Sequence, residues 1–303
     1  MLQVTAASGS YDVAGTTSRT RLLESRIGLV ENLQCLGMAP KRSPEGFSPD
    51  FQVCLPYRGL FFWHVGGDDV VGDSNQVLCV SGGESYRLSQ PFSDEYAELI
   101  ITPDPEILHD LAPAPATCLS FHPLFRRRSR RADVGLQFLR ARFLQQTARG
   151  DCNALAAEEL VVGLLRSALE TDPGRCVPSQ PTRRLIAQSK EFLDANLSNP
   201  RRLADVARAV GASPAYLTDV FRRVEGVPLH RYLTQLRLAR ALVELAHAHD
   251  LTALALALGF SSHSHFTAAF RRAFGCTPSC FRSTARLSGS YKRASSGRAR
   301  LSA

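Results

Sequence analysis

Two stretches near the C-terminal end of the chain carry polar and basic side chains at matching positions. Each closes with an aromatic residue and two arginines, Phe221-Arg222-Arg223 and Phe270-Arg271-Arg272, and hydroxyl and imidazole side chains such as Thr218 and His263 precede them. Hydroxyl and imidazole groups form hydrogen bonds, and guanidinium groups bind phosphate. These residue types therefore suit recognition of a polar, anionic surface.

The sequence offers no group of residues with the types and spacing that metal binding or catalysis requires. His263 and His265 are two residues apart, and on a helix such side chains point about 200° apart, so they cannot bind one ion together. His64 and Glu84, in the upstream half, are isolated from any histidine-rich motif. No nucleophile–base pair or pair of carboxylates stands out, so we expect no enzymatic activity and no cofactor.

The two basic stretches belong to an imperfect internal duplication. The segment 203–211 (LADVARAVG) is answered by 251–259 (LTALALALG). In each copy a glycine, Gly211 or Gly259, follows a short apolar helix pattern, and a serine, Ser213 or Ser262, follows the glycine. Glycine suits the turn after a helix and serine caps the next one, so each copy predicts a helix-turn-helix motif.

The region from Arg183 to Arg286 resembles the AraC/XylS family of bacterial transcription regulators, most sharply over 258–282 (LGFSSHSHFTAAFRRAFGCTPSCFR). The resemblance implies an all-α domain over 183–286, in which two helix-turn-helix motifs are joined by one long helix. Residues 229–246 suit that connector, with Tyr232, Leu236, Ala239 and Leu242 on its apolar side. The two recognition helices would enter successive major grooves of duplex DNA, about 34 Å apart.

The resemblance also implies which residues contact DNA. Base-facing positions would hold Ala215, Thr218 and Asp219 in the first motif, and His263, Ser264, Thr267 and Ala268 in the second. Tyr216 and His265 share the solvent side of the two helices. Arg222, Arg223, Arg271 and Arg272 are expected to meet phosphates. Asp219 departs from the arginine frequent in the family; a carboxylate accepts a hydrogen bond from cytosine and repels phosphate.

Charge is distributed unevenly along the chain. From Pro181 onward there are 19 Lys+Arg against 7 Asp+Glu, a balance of +12, whereas the first 180 residues carry 17 against 21, a balance of −4. The positive charge is therefore concentrated in the part expected to meet phosphate.

The N-terminal half has the sequence pattern of an antiparallel β domain, with short strand-like segments separated by turns. We expect a disordered segment over 1–25 and then a β-barrel over 26–125; a translation start downstream of Met1 is the alternative for the first segment. Strands are predicted at 51–55, 60–65, 76–80, 86–88 and 96–102. The domain order and two short stretches, 55–59 and 83–88, resemble the cupin-like sensor domain of many AraC-type regulators. Trp63, His64 and Tyr86 are candidates for lining an effector site there, and ordinary packing is the alternative.

Residues 126–170 are predicted to be helical after an arginine cluster at 126–131, which we interpret as a solvated loop rather than a DNA contact. The second helix places Ala157, Leu160, Val161, Leu164 and Ala168 on one stripe. That stripe either packs on the chain's own β domain or forms a homodimer seam. Residues 171–182 form a proline-punctuated linker, and 287–303 form a basic disordered tail.

Cysteine usage and hydropathy suggest a cytoplasmic protein. Cys35, Cys54, Cys79 and Cys118 are too far apart for the paired spacing of a methyl-accepting repair domain, and Cys276 and Cys280, four residues apart, have no second Cys or His pair nearby to complete a zinc site. We therefore interpret the eight cysteines as free thiols. We expect no membrane span and no signal peptide, because no apolar stretch approaches the necessary length. The expected partners are double-stranded DNA, RNA polymerase, an unknown small-molecule effector and a second copy of the chain, and activation is the mode that the resemblance implies.

Overall fold

The computed structural model describes residues 16–37, 41–90, 95–111, 128–149, 153–170, 178–199 and 201–283. Within them the N-terminal part is rich in strands and the C-terminal part is helical, which confirms the predicted α+β class. The strands are β1 (Thr16–Ser25), β2 (Gly28–Leu36), β3 (Gly46–Phe47), β4 (Gln52–Arg58), β5 (Phe61–Val65), β6 (Asp68–Gly72), β7 (Gln76–Val80), β8 (Ser85–Ser89), β9 (Glu95–Pro103) and β10 (Ser129–Arg131). The helices are α1 (Pro105–Leu111), α2 (Val134–Arg149), α3 (Ala154–Leu169), α4 (Gln180–Ala195), α5 (Leu203–Ala209), α6 (Pro214–Glu225), α7 (Leu229–Glu244), α8 (Leu251–Ala257) and α9 (His263–Phe274).

The described strands form two antiparallel sheets. One has the order β1-β2-β9-β4-β7-β10 and the other the order β3-β8-β5-β6. Alternation along β9 sends Leu99 and Ile101 into a core covered by helices, and Tyr96 and Ile100 into a second core shared with the smaller sheet. Among the described strands no pairing joins the two sheets into a ring, so the predicted closed barrel is not observed.

Residues 16–25 differ from the disordered segment predicted over 1–25. They form β1, which pairs along its length with β2, from Thr16 opposite Leu36 to Ser25 opposite Gly28. The sequence of β1 is largely polar, yet the backbone ladder and the burial of Leu23 hold it at the sheet edge. The rest of the predicted segment, 1–15, lies outside the described residues.

From Arg128 onward, the arginine cluster is not the solvated loop that the sequence suggested. Ser129–Arg131 forms β10 and pairs with β7. Arg128 donates two hydrogen bonds to the Glu84 carboxylate, at 2.6 and 2.7 Å, and Arg131 donates to Gln235. Carboxylate and amide partners distant in sequence draw these arginines onto the fold. Arg126 and Arg127 lie outside the described residues.

The apolar stripe of α3 packs within the chain. Ala157, Val161, Leu164 and Ala168 are buried in the core that α2 and α3 form against the larger sheet, and Leu160 packs against its margin. Of the two interpretations left open by the sequence, the described contacts therefore favour packing on the chain's own β domain.

The helical part contains two cores built on α7. The first combines α4, α5 and α6 with the N-terminal half of α7, and the second combines α8 and α9 with its C-terminal half. The predicted connector, 229–246, is thus observed as Leu229–Glu244. Of the predicted linker 171–182, residues 171–177 lie outside the described residues, and α4 begins at Gln180. The predicted tail, 287–303, lies outside them as well.

Three cysteines, Cys35, Cys54 and Cys79, are free and buried in the β domain, as predicted, while Cys276 is half-buried and Cys280 exposed. Cys118, Cys152 and Cys176 lie outside the described residues. No helix in the described ranges is both long and apolar enough to cross a membrane. The same residues contain no group of three or more His, Cys, Asp or Glu side chains placed to hold a metal ion.

Candidate nucleic-acid interface

Both predicted helix-turn-helix motifs are observed, and local side chains explain their boundaries. The turn after the first helix of each motif passes through a left-handed glycine, Gly211 at φ 66° and Gly259 at φ 80°. The Ser213 hydroxyl accepts from the backbone N–H of Tyr216 at 3.2 Å, and the Ser262 hydroxyl accepts from that of His265 at 3.1 Å. α6 and α9 therefore begin at residues that the sequence specifies locally.

Gly259 also makes room for a brace between the two motifs. A Cβ atom there would lie 2.6 Å from the Arg237 guanidinium, which stands beside the Phe260 ring and donates to the Leu197 carbonyl oxygen at 2.9 Å. Arg237, on the connecting helix, thus contacts Leu197, just after α4, and the turn of the second motif. Any larger residue at position 259 would displace it.

α6 and α9 bury an apolar face and expose a polar one. Leu217, Val220 and Phe221 are buried in the first core, and Phe266 and Phe270 are buried in the second. Of the predicted DNA-contacting side chains, His263 and Thr267 are half-buried and the others are exposed: Ala215, Tyr216, Thr218, Asp219, Arg222, Arg223, Ser264, His265, Ala268, Arg271 and Arg272. The predicted residues thus form one polar face on each helix.

On α6 the acidic residue is paired. Asp219 and Arg223, one helical turn apart, form an ion pair in which both side chains are 67% exposed. The pair lowers the repulsion that Asp219 alone would exert on phosphate, and it occupies Arg223. The exposed Thr218 hydroxyl donates to the Pro214 carbonyl oxygen at 2.8 Å, which uses its proton and leaves its oxygen as an acceptor. Among the described ion pairs none involves Arg222.

On α9 the two histidines differ in their surroundings. His263 lies one turn before Thr267, with its Nε2 3.5 Å from the threonine hydroxyl, and both lie on the line that continues to Arg271. His265 instead packs edge-on against Phe260, and its Nδ1 lies 3.0 Å from the Ser261 hydroxyl. His265 is therefore tied to the turn, whereas His263, Thr267 and Arg271 form an outward line. Arg271 and Arg272 take part in none of the described ion pairs.

Sequence reasoning missed a buried polar cluster behind α6. Lys190 of α4 and Glu225, the last residue of α6, form an ion pair at 2.8 Å and are almost fully buried. The Tyr232 hydroxyl of α7 donates to Asp73 at 2.5 Å, and burial followed by the nearby Asp73 and Glu225 carboxylates raises the pKa of Tyr232 well above its ordinary value. One signal was available, because Lys190 occupies an apolar-stripe position between Ile186 and Leu193.

The three candidate effector residues do not share one face. Trp63 and Tyr86 point between the sheets, where their rings meet edge-on at 6.3 Å. His64 alternates to the other side of β5, where its ring nitrogens lie 2.5 Å from an Asp69 carboxylate oxygen and 2.8 Å from the Ser89 hydroxyl. His64 is therefore satisfied by its neighbours and separate from the other two.

Comparison with known proteins agrees with this geometry. The family model described as a helix-turn-helix domain matches residues 206–284. The regulatory protein PocR of Salmonella typhimurium is 34% identical over 98 residues, which make up 32% of this chain and 32% of PocR. The regulatory protein SoxS of the same organism is 37% identical over 93 residues, 30% of this chain and 87% of SoxS.

Among solved structures, the chain is similar to a transcriptional regulator of Chromobacterium violaceum with an AraC-type DNA-binding domain, at 28% identity and a TM-score of 0.34, covering 36% of this chain and 98% of that one. The match to PocR spans about a third of that protein's length. The residues that the family model matches, 206–284, include α6 and α9.

Proposed function

Because the chain belongs to the AraC/XylS family of transcription regulators, we propose that it binds specific sites on double-stranded DNA and thereby controls transcription. The observation that carries the proposal is the matched pair of recognition helices. α6 and α9 each expose a polar face, while their apolar faces complete two separate cores on α7. That arrangement suits two insertions into the major groove from one side of a duplex.

Base reading is assigned to side chains near the start and middle of each recognition helix. In α9 we propose His263, Ser264, Thr267 and Ala268, and in α6 Ala215, Thr218 and Asp219. Arg222, Arg271 and Arg272, which lie towards the helix ends, are assigned to phosphates. The ion pair with Asp219 makes Arg223 the weakest of the four arginines as a phosphate contact.

We further propose that a small molecule controls the protein from the β domain. Trp63 is buried between the sheets, and its indole N–H has no hydrogen-bond partner among the described residues. A buried indole N–H normally finds an acceptor, so this group is available to a polar ligand atom. The Tyr86 ring lies beside the Trp63 ring, whereas His64 lies on the other side of β5 and is not part of the proposed site.

We also propose that the protein acts in the cytoplasm, contacts RNA polymerase, activates transcription and forms a homodimer. The homodimer does not use the stripe of Leu160, Val161 and Leu164, because those side chains pack within the chain's own core. Sedimentation of the full chain at micromolar concentration tests the proposed homodimer, and a single monomeric species would rule it out.

The DNA-binding proposal is tested by selection from a random duplex library with the purified full chain, followed by footprinting of the enriched duplex. We expect two protected segments about one helical turn, 10 base pairs, apart on one face of the duplex. Affinity should fall on the order of tenfold to a thousandfold between 50 and 200 mM salt. A folded chain that enriches no sequence and binds no duplex at low salt would overturn the proposal.

A further inference from the structure

One contact between the β domain and the DNA-binding domain is made by a short buried segment, residues 73–76, which runs from the end of β6 to the first residue of β7. All four of its side chains, those of Asp73, Ser74, Asn75 and Gln76, are buried. They are held from behind by α2, whose Gln137 amide donates to the Ser74 carbonyl oxygen at 3.0 Å and to the Asn75 side chain at 2.7 Å. The segment is therefore a fixed part of the β domain.

The same segment forms hydrogen bonds with the end of α6 and with the start of α7. Gln76 donates to a Glu225 carboxylate oxygen at 3.1 Å, and Glu225 is the last residue of recognition helix α6. Asp73 accepts from the Tyr232 hydroxyl, and Asn75 donates to the Tyr232 backbone carbonyl oxygen at 3.1 Å. One end of the first recognition helix thus lies a single hydrogen bond away from the β domain.

The second motif is attached differently. Phe138 of α2 packs against Phe274 and Phe281, with ring centroids 5.6 Å apart in both pairs, and Ala141 of α2 is buried in the same core. The second motif therefore shares an apolar core with the β domain, whereas the first is held through directional polar contacts. Because Gln137 of α2 also holds the 73–76 segment, α2 takes part in both attachments.

We propose that Gln76, Asp73 and Tyr232 are positioning residues for DNA reading, which set the place of α6 relative to α9. This inference rests on the proposed DNA-binding function. Within the helical domain the two motif cores are separate and are joined through α7 and the Arg237 brace. The support from the β domain adds a second connection, which bears directly on the end of α6. The full chain then reads two half-sites at one preferred spacing.

The matched variants are Gln76→Leu and Tyr232→Phe. The first removes the hydrogen bonds to Glu225 and to the Tyr232 hydroxyl, and the second removes a single oxygen while keeping the ring against Phe221. The control is Gln52→Leu, the same substitution at a glutamine that donates to Thr102 within the β domain at 3.1 Å. If Gln76→Leu fails to fold, judged by circular dichroism, Tyr232→Phe carries the test.

The probe is the duplex that the wild-type full chain selects, together with versions in which the two protected segments are moved apart or together by one and two base pairs. We expect the wild type and Gln52→Leu to prefer the selected spacing by about tenfold or more per base pair. For Gln76→Leu and Tyr232→Phe the preference should fall to about threefold or less, with affinity for random duplex unchanged within about twofold. A purely structural role would weaken binding at all spacings alike.

Folded variants that keep the wild-type spacing preference, or that weaken binding at every spacing equally, would overturn the inference and leave the proposed function intact. A wild-type chain that enriches no sequence would overturn the proposed function, and the inference with it.

Discussion

Phe138, in the N-terminal half of the chain, stacks on Phe274, the last residue of the second recognition helix, with the ring planes 19° apart. The Phe138 ring of α2 is thus part of the core that α8 and α9 form with the C-terminal half of α7. The stability of the second helix-turn-helix motif therefore depends on residues outside the segment, 206–284, that the family model matches.

Replacing Phe138 by Ala should lower the free energy of unfolding by about 2 kcal/mol. The value lies below the roughly 3 to 5 kcal/mol of a fully buried Phe→Ala change because Phe138 is only partly buried. Urea denaturation of the full chain measures it. Phe47→Ala is the control, since that ring is 54% exposed and should change stability by less than about 0.5 kcal/mol. Equal effects of the two substitutions would contradict the shared core.

Thr267→Ala and Arg271→Ala should separate base reading from phosphate contact on α9. The threonine variant is expected to weaken the selected duplex by about 1 to 3 kcal/mol and to leave random duplex unchanged. The arginine variant should weaken both duplexes alike and reduce the slope of log affinity against log salt by about one. Fluorescence anisotropy over a salt series provides both quantities. If Thr267→Ala lowers the two affinities equally, its base-reading role is wrong.

Asp219→Ala should raise affinity for random duplex, because the change removes a negative charge and releases Arg223 for phosphate. The salt slope should steepen by about one counterion equivalent. Glu24→Ala makes the same change in net charge at an exposed acid that pairs with Arg21 in β1, far along the chain from α6, and controls for charge alone. An identical gain in both variants would show that the Asp219–Arg223 pair has no specific effect.

Glu98 should make stability depend on pH. Burial raises its pKa from 4.5 to about 7, against a smaller opposing effect of Arg19. Between these two values the folded chain holds a proton that the unfolded chain has released, so the free energy of unfolding falls as pH rises through this range. The shift corresponds to about 3 kcal/mol as an upper bound. Glu98→Gln should therefore be stabilising at pH 8 relative to its effect at pH 5, as measured by urea denaturation at both values. A difference between variant and wild type that is the same at both pH values would argue against a raised pKa.

The helical domain was predictable because its signals are local. Ser213, Gly211 and their counterparts Ser262 and Gly259 define helix ends through hydrogen bonds and backbone angles within a few residues, and the observed elements begin and end there. The polar faces of α6 and α9 followed from helical periodicity. Their roles in DNA contact remain predictions.

The missed elements depend on partners distant in sequence. β10 consists of Ser129 and two arginines, and its strand conformation is explained by pairing with β7 and by side-chain contacts such as Arg128 with Glu84 and Arg131 with Gln235. Gln76 and Glu225 likewise look like ordinary polar residues until the fold brings them together. Local propensity carries no information on such pairs, so neither the support of α6 nor the division into two open sheets could be read from the sequence.

The buried end of α6 limits how freely the two halves of this protein can be exchanged with those of other regulators. A chimaera that joins α4 to α9 to a foreign N-terminal domain would leave the Tyr232 hydroxyl and one side of the Lys190–Glu225 pair without their covering partners. Where the foreign domain covers such a group without offering it a hydrogen-bond partner, the cost is about 1 to 3 kcal/mol per group. An exchange that carries the 73–76 segment and α2 along with the DNA-binding helices keeps these contacts, so the packing unit around α6 extends beyond the residues, 206–284, that the family model matches.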